Sequence, residues 1–248
     1  MYQKPDTVNA PYCLEICVES LLSAQNAALG GATRIELCQH LEVGGLTPSN
    51  GLLYEVSRRL SIPVHALIRP RAGNFVYTDK ELTVMEQDLA FCKKLGINGV
   101  VLGFLTDERR IDQVLLKEMV QLSLPMEVTF HRAFDLTLDP FESFEVLKTC
   151  GVVRLLTSGQ ANRAIDGKEL IKELVVRSEG KIEVMPGAGV HLNEAKTLLQ
   201  YTGAKAIHSS ARWSEAETEA LPYGFGQNPK ETSIKNVRTL ADILKSLT

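Results

Sequence analysis

The chain reads as an α/β protein, a single-domain TIM-type (β/α)8 barrel. Eight short apolar runs of strand character recur along it, and the segments between them carry helical periodicity. No Pro/Gly-rich linker divides the 248 residues, so one domain is expected over 1–248, with a tail at 1–11 and a long connection at 212–232. A doubly wound open sheet would usually have fewer strands and a glycine-rich first turn, which is missing here.

The expected strands, in order, are CLEICVE, TRIELCQ, PVHALIR, GVVLGFL, MEVTFHRAF, VVRLLTS, IEVMPGAG and AKAIHSS, and the helices fall near 20–29, 50–60, 79–95, 111–122, 139–149, 167–178, 192–202 and 233–247. The segments AALGGATRIELC, CKKLGINGVVLG, LKTCGVVRLLTS and LQYTGAKAIHSS each set a glycine between helix and strand. A left-handed C-cap is expected there. The long connection before the last helix breaks the short spacing and reads as a lid, an interface arm or a mobile stretch.

Composition removes several partner classes. Twenty-seven basic residues against 30 acidic ones leave a formal charge of −3 with no block of one sign, so neither nucleic acid nor an anionic membrane is an expected partner. No apolar run approaches bilayer length, and the first dozen residues lack the apolar core of a signal peptide, which points to the cytoplasm. The five cysteines are odd in number and form no CxxC pair; reduced thiols are expected rather than a disulfide framework or a zinc site.

Strands alternate their faces, and the outer face of a barrel strand must be apolar to meet the helices. Leu14, Ile16 and Val18 therefore face out, leaving Glu15, Cys17 and Glu19 inward; Ile35 and Leu37 leave Arg34, Glu36 and Cys38; Val64, Ala66 and Ile68 leave His65, Leu67 and Arg69; Val128 and Phe130 leave Thr129 and His131. Barrel interiors are commonly filled by branched apolar residues. Stranding one buried charge costs about 3–5 kcal/mol, so these groups must answer one another as a polar plug or serve a ligand. Position favours the ligand, because the charged groups gather toward strand C-termini, where barrel enzymes build their sites.

VTFHRAFD is the clearest case, with His131 at the inner rim, Arg132 beside it and Asp135 opening the next loop to orient His131, cap Arg132 or shape a turn. Strand seven ends in MPGAGV and strand eight in HSSAR. Gly187, Gly189, Ser209 and Ser210 thus occupy the loops that usually cradle phosphate, with Arg69, Arg71, Arg132 and Arg212 as candidate anion contacts.

Several segments together, LEICVES, RIELCQHLEVGGLTPS, IPVHALIRPRAGNFVYT, VTFHRAFD, LLTSGQ, MPGAGV and IHSSA, resemble the CutC family, named for copper homeostasis. The resemblance runs from about Leu14 to Ala211 and implies a TIM-type barrel in a cytoplasmic protein linked to copper. Cu(I) prefers soft ligands. Cys13 and Cys17 would lie about 13 Å apart along one strand, too far to share an ion. Cys17 and Cys38 share inward parity on adjacent strands and are the candidate Cu(I) ligands, with His131 or His65 as a third; the competing reading is two small buried apolar side chains.

That copper site leaves the charged rim without work. The alternative is an enzyme acting on a small phosphorylated or carboxylated metabolite, with His131 as general acid/base, Glu15 or Glu36 as a second proton-transfer group, and arginines and glycine-loop amides for the anion. A divalent metal on Glu15, Glu36 and a histidine is also compatible. Lys205 opens strand eight at the opposite end, which disfavours a Schiff-base mechanism. Trp213, Tyr223 and Phe225 in the long connection suggest a homodimer.

Overall fold

A buried parallel strand needs helices against its outer face, and the chain supplies one after each strand. The computed structural model describes residues 12–212 and 230–247. In order it contains β1 (Cys13–Val18), α1 (Leu21–Gly30), β2 (Arg34–Leu37), α2 (Asn50–Arg59), β3 (Val64–Leu67), α3 (Asp79–Leu95), β4 (Gly99–Leu102), α4 (Gln113–Ser123), β5 (Glu127–Phe130), α5 (Pro140–Thr149), β6 (Arg154–Thr157), α6 (Lys168–Ser178), β7 (Glu183–Pro186), α7 (Leu192–Thr202), β8 (Ala206–Ser209) and α8 (Ile234–Lys245). Short 3-10 turns at Leu41–Val43 and Arg132–Leu136 follow β2 and β5.

All pairs are parallel, and the hydrogen-bonded order runs β7-β6-β5-β4-β3-β2-β1-β8. The end strands meet at a seam where a Cβ on Gly187 would stand 3.1 Å from the Cβ of His208, so the barrel nearly closes. The expected tail at 1–11 and most of the 212–232 connection lie outside the described residues. The connection's described end is tied to the start of α1: Glu231 accepts from the Ser20 hydroxyl at 2.6 Å and from Ser23, and the Thr232 N–H donates to Ser23 Oγ at 2.8 Å.

Local signals place the helices. Ser20, Asp112, Asp139 and Ser233 cap α1, α4, α5 and α8 through their side chains, and Thr78 with Glu81 forms a reciprocal capping box on α3. Gly31, Gly96, Gly151 and Gly203, the glycines expected between helix and strand, all adopt positive φ. No helix among the described residues is long and apolar enough to cross a membrane.

The core follows the period-two reading. Ile16, Ile35, Ala66, Val100, Phe130, Leu155, Val184 and Ile207 pack with the helices in one apolar layer outside the sheet. Inside, among the described residues, lie two small apolar clusters, Cys38 with Leu67 and Val101, and Leu156 with Met185 and Ala206. The rest of the interior is polar, and most of it is buried. At the N-terminal end of the strands Arg34 reaches Glu15 at 2.5 Å and Glu183 at 3.5 Å, while Arg154 bonds Glu183, Glu127 and the Thr129 hydroxyl. This end is the self-satisfied plug.

Candidate functional site

At the other end of the strands opens a cavity of about 520 Å³. Cys17 from β1, Glu36 from β2 and His208 from β8 line it, with Arg69 just after β3 and His131 just after β5. All five are at least nine-tenths buried. β4 makes space by offering almost no side chain: a Cβ on Gly99 would stand 2.6 Å from the His65 ring, and one on Gly103 would stand 2.6 Å from the His131 ring.

Strand pairing sets the charges of the inner wall. Glu15 is level with Arg34 on one side and His208 on the other, and accepts from both, at 2.5 and 2.8 Å. Burial works against its ionisation, but Arg34 and then His208 outweigh burial and hold its carboxyl well below the usual range. Burial likewise opposes charge on His208, yet its contacts with Cys17, Glu15 and Glu36 raise it well above the ordinary imidazole value. Glu36 is pushed up to about 7, first by burial and then by the charge of Glu15, against the pull of His208 and Arg34. A carboxyl poised near neutrality beside an imidazolium is suited to proton transfer at ordinary pH.

The ligand atoms of Glu15, Glu36 and His208 lie within 4.8 Å of one another, so these three could hold a cation. Two carboxylates and an imidazole suit a hard or borderline divalent ion and do not suit Cu(I). Neither thiol belongs to this group. Cys17 lies on the cavity wall in contact with His208. Cys38 packs with Leu67 and Val101 and turns its sulfur to the Val18 carbonyl at 3.6 Å, and burial followed by the charge of Glu36 drives its thiol well up. Among the described residues, neither His65 nor His131 joins the two thiols in a set of three.

His131 has a different character. Its Nδ1 accepts from the Ala133 N–H at 3.2 Å, and burial, together with the charges of Arg69 and Arg132, lowers its pKa to about 3. The ring is neutral with its proton on Nε2, an atom that is buried and has no hydrogen-bond partner among the described residues. Such a group offers a hydrogen bond to a ligand more readily than it takes a proton.

Arg69 is 5% exposed and lines the same cavity. Its guanidinium donates to the carbonyls of Val43, Gly45 and Gly73 and stacks over Phe75, 4.9 Å from ring centre. No carboxylate among the described residues pairs with it. The other cavity arginines are matched, Arg132 by Asp135 and Arg212 by Glu19. Arg71 stands off the cavity, with Glu81 and the carbonyls of Ala72, Asn74 and Val76 taking its donors.

The candidate anion loops divide. Gly189, Ser209 and Ser210 line the cavity, whereas Gly187 packs against Leu156 and His208 and gives its N–H to the Thr157 carbonyl at 2.9 Å. Asp135 caps Arg132 and gathers the Thr157 and Ser158 hydroxyls with the amides of Ser158 and Gln160, so it does not orient His131. The residue that sequence reasoning passed over is His208. Its signal is the same alternation, with Ile207 outward against the helices and His208 inward.

Comparison with known proteins agrees with this architecture. The CutC family profile matches residues 12–213. The "Copper homeostasis protein cutC homolog" of Homo sapiens is 41% identical over 246 residues, covering 95% of this chain and 90% of that protein. A CutC family protein of Parabacteroides distasonis is 44% identical over 237 residues, covering 94% and 98%. The crystal structure of a CutC protein from Streptococcus agalactiae, named for copper homeostasis, superposes with a TM-score of 0.77 at 35% identity over 80% of this chain and 98% of that one. With the barrel, its polar interior and the matched segments in agreement, the chain belongs to the CutC family.

Proposed function

We propose that the chain is a barrel enzyme that binds a small phosphorylated or carboxylated metabolite in the cavity at the C-terminal ends of its strands and moves a proton on it. The observation that carries this reading is Arg69, a buried guanidinium on the cavity wall held by carbonyl oxygens, next to the Tyr77 hydroxyl, with no carboxylate paired to it among the described residues. A buried cation without a counter-charge is costly, and an anionic ligand removes the cost. His131 Nε2 adds a second donor for the bound ligand, and Glu36 with His208 supplies the acid/base pair. No lysine among the described residues lines the cavity, which disfavours a Schiff-base mechanism.

The test is a thermal-shift and calorimetric screen of phosphorylated and carboxylated metabolites against the native protein, Arg69→Met and Glu36→Gln. Binding of an anionic ligand that weakens about tenfold or more in Arg69→Met, and turnover that is lost in Glu36→Gln with binding retained, are the expected results. Equal affinity in the native protein and Arg69→Met removes the reading.

One observation favours a second reading. Cys17 puts a soft donor on the cavity wall against the His208 imidazole, and the relatives' names speak of copper homeostasis. In that reading Cu(I) is the cargo, held by Cys17, with Cys38 joining only if it leaves Leu67 and Val101. An anaerobic Cu(I) competition titration against a strong chelator decides it: one-to-one binding lost in Cys17→Ser supports the copper site, and binding indifferent to Cys17 excludes it. Free thiols throughout fit a cytoplasmic location, and the homodimer suggested by the aromatic residues of 212–232 is open to light scattering.

A further inference from the structure

The cavity changes character between its inner wall and its mouth, and the change constrains what an anionic ligand must look like. Glu36, Arg69, His131 and His208 are nearly inaccessible, whereas Val43 is 42% and Leu136 is 48% exposed, and all six line the same cavity. Val43 ends the 3-10 turn after β2, and Leu136 ends the one after β5, so the two lips rise from separate parts of the rim. Leu41 lies beside Val43 on the first lip. Phe75 joins the zones, with its ring 4.9 Å from the Arg69 guanidinium carbon and 4.7 Å from the His131 ring centre.

Branched apolar side chains held in water on both lips gain free energy when an apolar surface covers them. A sugar hydroxyl placed there would lose water and find no partner on those side chains, and the charged groups of the same rim are already engaged, Arg132 with Asp135 and Ser158 and Arg212 with Glu19. We propose that the ligand of this cavity is amphipathic, a single phosphate or carboxylate group at Arg69 carrying an aromatic or aliphatic body that lies between the Val43 and Leu136 lips. This inference rests on the anion reading of Arg69 and narrows it from small anionic metabolites in general to those with an apolar body next to the charge, as opposed to polyhydroxylated phosphates.

The experiment is calorimetric titration of the full chain with matched probes: phenyl phosphate, glycerol phosphate and inorganic phosphate in one arm, benzoate and acetate in a second, and neutral phenol in a third. Phenyl phosphate or benzoate should bind about tenfold tighter than the hydroxylated or bare anion of its arm, and the tighter arm identifies the head group. In the double variant Val43→Ser with Leu136→Ser this preference should fall to about threefold or less, with inorganic phosphate unchanged. Glycerol phosphate binding as tightly as phenyl phosphate overturns the inference, as does a preference indifferent to the double variant, or no binding of any probe. The two readings fail separately. Phenol binding that depends on Val43 and Leu136, with no anion binding sensitive to Arg69→Met, would sink the anion site and leave the apolar lips standing.

Discussion

At the scale of single residues, the interior holds two histidines whose charge the fold refuses and one whose charge it demands. His65 and His131 are both lowered to about 3 by burial, reinforced by arginines, while His208 is raised by its acidic and thiol neighbours. The consequence for His131 can be given a sign. Its ordinary value is 6.5, so between about 3 and 6.5 the unfolded chain binds a proton that the folded chain does not. Its contribution to stability is therefore complete above 6.5 and is lost as pH falls toward 3, at about 1.4 kcal/mol per unit. His131→Gln removes this term and leaves that of His65. Urea unfolding measured from pH 7 to pH 4 should show a native decline steeper than that of the variant by about the same 1.4 kcal/mol per unit. Parallel declines would mean that His131 titrates normally and that its ring is open to water.

At the scale of elements, β4 governs where the histidines sit. Its inward positions Gly99 and Val101, with Gly103 just beyond its end, leave space on either side of one valine, and the rings of His65 and His131 take it. Gly103→Ala would set a methyl against the His131 ring at 2.6 Å and the Ala133 Cβ at 3.2 Å. Overpacking of this kind should cost about 1–3 kcal/mol. His131→Ala should give most of that back, so the double variant in denaturant melts will be more stable than the two single costs add up to. Simple additivity would place the methyl elsewhere. The same strand explains what could be read in advance. On β1, β2, β3 and β5 an apolar series alternates with charged or polar residues, and the inward set is legible. On β4 both faces carry apolar residues, Val100 beside Val101, and on β6 Leu155 stands beside Leu156 after the single inward Arg154, so alternation says little there. Arg69 was legible as an inward cation, but its carbonyl cage comes from residues 43, 45 and 73, and no spacing along the chain announces that they converge.

At the scale of the molecule, the polar interior is two systems stacked along one axis. The lower one is a chain of alternating charge, Glu15 to Arg34 to Glu183 to Arg154 to Glu127, that crosses strands β1, β2, β7, β6 and β5 and ties opposite sides of the barrel together. The upper one holds Glu36 and Arg69, and no carboxylate among the described residues pairs with Arg69. Glu15 joins them, with Arg34 on one oxygen and His208 on the other. Barrels commonly keep stability at the N-terminal face and chemistry at the C-terminal one, and this arrangement allows that division to be measured. Arg154→Met takes the buried guanidinium away from Glu127 and from the Thr129 hydroxyl, while Glu183 keeps Arg34, and with Glu127 open to water the cost should be about 1–3 kcal/mol. Adding Glu127→Gln removes the carboxylate left without its arginine and should recover part of the loss. Neither variant touches the cavity, so ligand affinity in the folded fraction should stay within about twofold of native. A double variant that regains stability yet loses affinity would show that the lower network sets the geometry of Glu15 and through it the proton-transfer pair, making the two systems one.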